Sequence, residues 1–565
     1  MEAALTANLI QHLNPLRLAG PMFDKELRVA SRRRRLYILR FAYVVVLVLV
    51  VLQLWYSVPR SGKGGSGVVQ MSRLGEMGRQ IVTMVVWFQF ITGQILAAVL
   101  LSDAIGSEIR QRTLDVLLVT PVRSFQIVIG KLAGKLLQVA SLLAISLPML
   151  AVVRVFGGIP GDFVVAGLCI TLSAGVFAGS LSLWSSISSR HPYQAVLTVG
   201  LWYLVIWGLV PMVLTALSAS GYMSNAMVMA ILRLSNPLVT LGELMQRMGS
   251  GSGGTGASMS WPWLCLILLA SAMVLLAWSV RRVRRIALGA IPSRVHEALQ
   301  ETAARGRRRW GRGTIRPVVG SPVVWKERRV PLFRMPRRGV SIVGFLVGVL
   351  VLAIVVMLII YEGAAFVMVF PLAQILQLIF VIDLAVGAAG AITKEREART
   401  WPILLTTPLE DGEIIKGKAI GVFLRNLPLL VPLLVLYPLM LFLSPSDSRI
   451  LPQMAGWAGL SCCSLGSTAI LLLGVGLYFS ARLKTTTAAV VATFAVYIAP
   501  KFLFCGFLSP LFALSAGMMG VMTARSGNSV ALWMLLIGVA PAVVYVGIGL
   551  LFMRLAAKRV RRDVF

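Results

Sequence analysis

Residues 108–131 read EIRQRTLDVLLVTPVRSFQIVIGK, and residues 395–418 read EREARTWPILLTTPLEDGEIIKGK. The two stretches align without a gap at an offset of 287 and agree at ten of 24 positions, where composition alone would give about two. An upstream echo precedes each copy: Pro21, Lys25, Glu26 and Arg28 in PMFDKELR answer Pro322, Lys326, Glu327 and Arg329 in PVVWKERR. A weaker pair sets Pro237 in SNPLVTL against Pro510 in LSPLFAL. An internal duplication organises the chain, so each half has to be read as a version of the other.

What surrounds the duplicated motif is apolar. Of the 565 residues, 58% are hydrophobic and 13% charged, and mean hydropathy is +0.84. A soluble domain carries about a quarter charged residues, so a soluble enzyme is excluded. Apolar runs of about 20 residues match what a bilayer-spanning helix needs. They fall near 36–57, 81–101, 133–153, 163–187, 194–216 and 261–280, then near 340–361, 364–390, 419–443, 453–480, 486–503 and 530–553. The pattern predicts an all-α polytopic membrane protein with about twelve transmembrane helices, arranged as two parallel six-helix repeats. The expected organisation is a cytoplasmic basic amphipathic segment at 1–35, a first transmembrane unit at 36–280 and a basic linker with a second interface helix at 281–339. A second transmembrane unit at 340–554 and a cytoplasmic tail at 555–565 follow.

Charge sets the orientation. The 54 Lys and Arg outnumber the 21 Asp and Glu, and basic residues collect in loops that stay inside and face anionic lipid. Segment 281–339 holds 17 basic residues against Glu297, Glu301 and Glu327. With the run Arg32 to Arg35 and the tail residues Lys558, Arg559, Arg561 and Arg562, it places both termini in the cytoplasm of a cell with this chain in its plasma (inner) membrane. The loop 58–80, with four basic residues and one Glu, runs against this pattern. The basic excess is thus accounted for without nucleic acid. Since each half has an even number of spans, the two share one orientation, and an axis along the membrane normal relates them. The first apolar run begins only near Leu36 and lacks a small-residue cleavage site, so the N-terminal segment is expected to be retained. Cys169, Cys265, Cys462, Cys463 and Cys505 fall in or beside apolar runs and read as small hydrophobes.

Within the motif, Glu108 stands four residues before Arg112 and Glu395 four before Arg399, the favourable order for an ion pair along a helix. Thr120-Pro121 and Thr407-Pro408 stop that helix, and Ser124 or Asp411 is placed to cap the next. The reading is a cytoplasmic elbow between the second and third spans of each half, with a well-capped loop as the plain alternative. Leu27 and Leu36, or Val330, Leu332 and Phe333, among basic residues suit a helix lying in the lipid interface.

This arrangement resembles the membrane subunits of ABC transporters of the ABC-2 (type V exporter-like) class. There an amphipathic interface helix precedes the first span, and a segment Glu-x-x-x-[basic or Gly]-Thr-Leu-x-x-Leu-Leu-x-Thr-Pro, ending near Gly-Lys, follows the second. Glu108, Thr113, Leu114, Leu117, Leu118, Thr120, Pro121, Gly130 and Lys131 fit it, as do Glu395, Thr400, Leu404, Leu405, Thr407, Pro408, Gly417 and Lys418. Arg112 and Arg399 stand where members often have Gly, and Trp401 replaces a Leu. The resemblance implies that Glu108, Arg112, Thr113, Leu117, Thr120 and Pro121, with Glu395, Arg399, Thr400, Leu404, Thr407 and Pro408, form coupling helices seated on a cytoplasmic ABC ATPase. Two copies of that partner would serve one fused chain. Lys25, Glu26, Arg28, Lys326, Glu327 and Arg329 would belong to the interface helices.

A self-contained pump would need a phosphate loop, yet none of the Gly-Lys pairs at 62, 130, 134 and 417 is followed by Ser or Thr. ATP and Mg are therefore expected on the partner, with no cofactor, metal or catalytic residue on this chain. His12, His191 and His296 are scattered, and no Gly-x-Ser-x-Gly nucleophile elbow occurs. The alternative is an ion-gradient-driven secondary transporter, which would place ionisable groups near the midplane; Asp383 and Lys501 are its sparse candidates. The expected function is a permease that exports an unidentified substrate.

Overall fold

The computed structural model describes residues 22–28 in part, 34–57, 67–110, 124–157, 159–189, 192–219, 221–249, 260–310, 321–328, 365–442, 451–507 and 529–559. Among them every regular element is helical. In chain order these are α1 (Arg34–Ser57), α2 (Gly67–Leu101), α3 (Gly106–Arg110), α4 (Ser124–Gly157), α5 (Gly161–Ser188), α6 (Pro192–Tyr203), which runs through a π-helical stretch at Leu204–Leu209, and α7 (Val210–Ala219). Next come α8 (Asn225–Ser235), α9 (Pro237–Gly249), α10 (Ser260–Trp310) and α11 (Pro322–Arg328). The remainder are α12 (Ala365–Glu397), α13 (Trp401–Leu405), α14 (Asp411–Phe442), α15 (Leu451–Arg482), α16 (Thr486–Phe507) and α17 (Ser529–Ala557).

Eight of the described helices are long and apolar enough to cross a bilayer, and nine if the bent pair α8 and α9 counts as one span. This is a polytopic helical membrane protein. Shorter apolar helices at Arg40–Leu49, Thr486–Ile498 and Ala542–Ala557 coincide with three further expected spans. The apolar run 340–361 lies outside the described residues. Two segments show what run length leaves open. The helix of the sixth span does not stop near 280 but continues as α10 to Trp310. The segment around Pro237 is two helices meeting at 105°. Pro237 starts α9, where a proline lacks no needed donor. Asn236 fixes the corner: its Oδ1 accepts from Leu238 N at 2.9 Å and its Nδ2 donates to Trp207 O at 3.2 Å. Pro510 lies outside the described residues.

The chain forms two compact units, one of 1–207 with 226–314 and one of 208–225 with 315–565. In the first, α5 packs on both α2 and α10. Hydrophobicity cannot drive helices together in lipid, so small residues that let backbones approach do much of this work. Ser182 Oγ donates to Ala98 O at 2.6 Å, and a Cβ on Gly167 would stand 2.9 Å from Val86. In the second unit α15 plays the same part between α12 and α17. Gly476 faces Ala388, whose Cβ would be 2.6 Å from an added one. Gly474 and Gly549 bring α15 and α17 into backbone contact, since a Cβ on either would overlap the opposing main chain. Cys463 is exposed and Cys169, Cys265 and Cys462 are half-buried.

Gly474→Val and Gly549→Val are therefore expected to force α15 and α17 apart. Both should lower the yield of monodisperse protein on size-exclusion chromatography, whereas Gly459→Val, at a position where an added Cβ meets nothing within 4 Å, should not.

Candidate functional site

The elbow of the second unit is described throughout. α12 ends at Glu397, and Arg399 takes a left-handed φ of 55°. Thr400 N donates back to Glu395 O at 2.9 Å, which closes the helix end. One turn of helix, α13, follows, and Thr406 and Thr407 turn the chain toward Pro408. Glu410 N donates to Glu413 Oε2 at 3.4 Å as α14 begins; Asp411 is thus the first helical residue and not the cap. Trp401, 3% exposed, sits in the core of the unit with the Arg396 guanidinium over its ring. It anchors the turn that Leu404 and Leu405 flank. Glu397 accepts from Thr486 N at 2.7 Å and so caps α16, where a carboxylate also meets the positive helix end.

The charges inside the elbow are arranged differently from the sequence expectation. Glu395 does not pair with Arg399, because the left-handed turn carries Arg399 out of the helix and into exposure. Its Oε1 instead accepts from Lys418 at 3.0 Å and Lys326 at 2.7 Å. Lys418, 1% exposed, also reaches Glu327 at 3.1 Å and donates to Ala391 O at 2.8 Å. Two lysines and two glutamates thus make a neutral cluster that joins α11, α12 and α14.

The first unit repeats its central part. Lys131 Nζ meets Glu108 at 2.9 Å and donates to Ala104 O. Lysine, glutamate and carbonyl are each displaced by 287 from Lys418, Glu395 and Ala391. Ser186 Oγ accepts from Gly106 N at 3.0 Å, as Ser480 Oγ accepts from Thr393 N at 3.1 Å. The upstream segments match as well. A Cβ on Gly134 would stand 2.8 Å from Glu26 Cβ, and one on Gly421 2.5 Å from Glu327 Cβ, so a glycine on α4 and on α14 gives each segment its seat. One contact differs: Glu26 pairs with Lys135 at 3.2 Å, whereas Glu327 pairs with Lys418.

Of the residues singled out by the motif, Glu395 is buried, and Leu404 and Thr407 are half-buried. Arg399, Thr400 and Pro408 are exposed. Glu108 is half-buried in α3, Glu26 and Lys326 make the pairs above, and Arg28 is exposed. Lys25, Arg112, Thr113, Leu117, Thr120, Pro121 and Arg329 lie outside the described residues. The motif missed Ile403, which projects from the elbow at 67% exposure beside exposed Pro402 and Thr406. Its counterpart by offset is Val116, so a conserved apolar character, hidden by the lack of identity, was the available signal.

Asp383 is also not alone. Arg425 of α14 meets it at 3.1 Å with both side chains buried, and Gly387 leaves room for the guanidinium.

The described helices thus make a polytopic membrane domain in which an elbow between two long helices is latched by a buried lysine. Residues 21–285 match the family model for ABC-2 family transporter proteins, and over that segment the chain is an ABC-2 type permease domain. Permeases of this family are transport subunits without an ATPase domain and in general work with an ABC ATPase. No curated protein matches the chain.

Removing one partner of a buried ion pair costs about 3–5 kcal/mol, because it strands the other charge. Lys418→Met, which leaves buried Glu327 without its cation and Glu395 with Lys326 alone, is expected to lower the apparent Tm in detergent more than Lys131→Met, whose one ion-pair partner Glu108 is partly exposed. Thermal-shift chromatography gives the comparison.

Proposed function

We propose that the chain is a fused pair of ABC-2 permease units that carries a substrate across the plasma membrane, outward, powered by ATP hydrolysed on a separate cytoplasmic subunit. The observation that carries this reading is the recurrence, 287 residues apart, of the buried lysine, its glutamate and its backbone carbonyl. Together with the family match over residues 21–285, it supports a second permease unit beyond that match. In this reading twelve spans form two six-helix repeats of shared orientation with both termini in the cytoplasm, over the segments 1–35, 36–280, 281–339, 340–554 and 555–565.

The two elbows are the seats of two ATPase copies. A latched elbow suits force transmission, because a displacement of its tip reaches α12 and α14 through fixed contacts. The tip itself offers Ile403, Pro402 and Thr406 to a partner, while Glu395 and, by analogy, Glu108 hold the elbow's shape. ATP and Mg stay on the partner, and this chain needs neither metal nor catalytic group. Membrane lipid surrounds the spans; the substrate is unidentified. Pairing of Asp383 with Arg425 weakens the secondary-transport alternative, since an ion site needs a carboxylate that can exchange its partner.

Ile403→Asp places a charge in the proposed contact without touching the latch. Co-purification of the tagged chain from its native host should yield about two ATPase copies per wild-type chain. The variant should yield about one, with its own yield and Tm unchanged. Equal recovery from both would overturn the elbow as a docking site.

A further inference from the structure

At the end of α2 remote from the elbow, a cavity of about 380 Å³ opens between α2 and α9. Its lining is two-sided. Glu76, Arg79, Gln80, Thr83 and Met84 come from α2, at spacings that place them on one helix face. Met245 and Met248 come from α9, three residues apart and so on one face as well. One wall carries both signs of charge and two hydrogen-bonding side chains, while the other is thioether and methylene. Glu76 and Arg79 are one turn apart, yet among the described residues neither forms an ion pair. Glu243 of α9 is already held by Arg233 at 2.8 Å and Arg247 at 2.6 Å, so it leaves Arg79 without a competing carboxylate from that helix. From Glu76 to Leu101 α2 rises about 38 Å, more than the roughly 30 Å of a bilayer's hydrocarbon core, so the cavity and the elbow stand at opposite ends of the spanning stretch.

We propose that this cavity binds a zwitterionic amphiphile, with its anionic group on Arg79, its cationic group on Glu76 and its apolar chain along Met84, Met245 and Met248. Binding pockets for small ligands run from about 300 to 1,000 Å³, so this one holds a headgroup and the first part of one chain, the rest leaving through its open side. Unbranched methionines fit the methylenes of a flexible chain without demanding one shape. Only the outward direction of the opening rests on the proposed function; the site itself does not.

A lysophosphatidylcholine carrying a diazirine on its acyl chain is the probe, used on the full chain in dodecyl maltoside. Mass spectrometry should place the crosslinks on the segment 245–248 and around Met84. Arg79→Gln and Glu76→Gln should each reduce that labelling about ten-fold, as expected for the loss of one charge-assisted contact. Arg79→Lys and Glu76→Asp should retain most of it, which separates recognition from misfolding. Excess dodecylphosphocholine should compete. Labelling spread over lipid-facing helices such as α10 and unmoved by either glutamine variant would overturn the proposal. Equal competition by phosphocholine lacking a chain would overturn the methionine wall. Proteoliposomes loaded with the probe in the bilayer, or exposed to it from water, distinguish a membrane lipid from a soluble amphiphile. None of these outcomes depends on an ATPase being present.

Discussion

A lysine at the start of a membrane helix must find negative charge close by, because an ammonium taken from water into a low dielectric is costly unless paired. Lys131 and Lys418 meet that requirement in the same way. Each reaches back across the elbow to a glutamate and a backbone carbonyl at the end of the preceding helix. That single constraint fixes where the chain turns, since the lysine ties the second turn of α4 or α14 to the segment just before the elbow. The exposed tip, the buried Trp401 and the seat of α11 on α14 follow from it.

The second unit elaborates the constraint. Glu327 and Lys326 bring α11 into the same cluster, so the interface segment, the elbow and the membrane helix form one electrostatic unit. In the first unit Glu26 binds Lys135 instead, which leaves the Lys131 pair smaller. Glu397 adds a cap on α16, whereas the corresponding position is Arg110, which cannot act as an acceptor. Among the described residues, Lys418 is therefore tied by more charged partners than Lys131.

Much of this was legible in the sequence. Apolar run length placed the eight span-length helices and three shorter apolar ones among the described residues, and the repeat marked Glu108, Lys131, Glu395 and Lys418 as its ends. Their pairing was not legible. Helical spacing offered Arg112 and Arg399, four residues on, and only the left-handed turn at Arg399 shows why the partner is 23 residues away. Arg425 was missed as the partner of Asp383 for a related reason: contacts between neighbouring spans depend on helix rotation and depth, which spacing within one helix does not encode. The corner at Asn236 was half visible, since Pro237 announces a break but not its angle. Ile403 and its counterpart Val116 share apolar character without identity, so the identical positions of the repeat do not single them out.

Through Glu395 and the Ala391 carbonyl, buried Lys418 holds the elbow rigid. Its turn is closed by hydrogen bonds from the amides of Thr400, Leu404, Thr406 and Thr407, and these should be protected while the latch stands. Hydrogen–deuterium exchange over residues 398–410 in the wild-type chain and in Lys418→Met is the most direct measurement. Slow exchange is expected in the wild type and fast exchange in the variant, with the middle of α15 unchanged in both. Equal exchange of the elbow amides in the two proteins would contradict it.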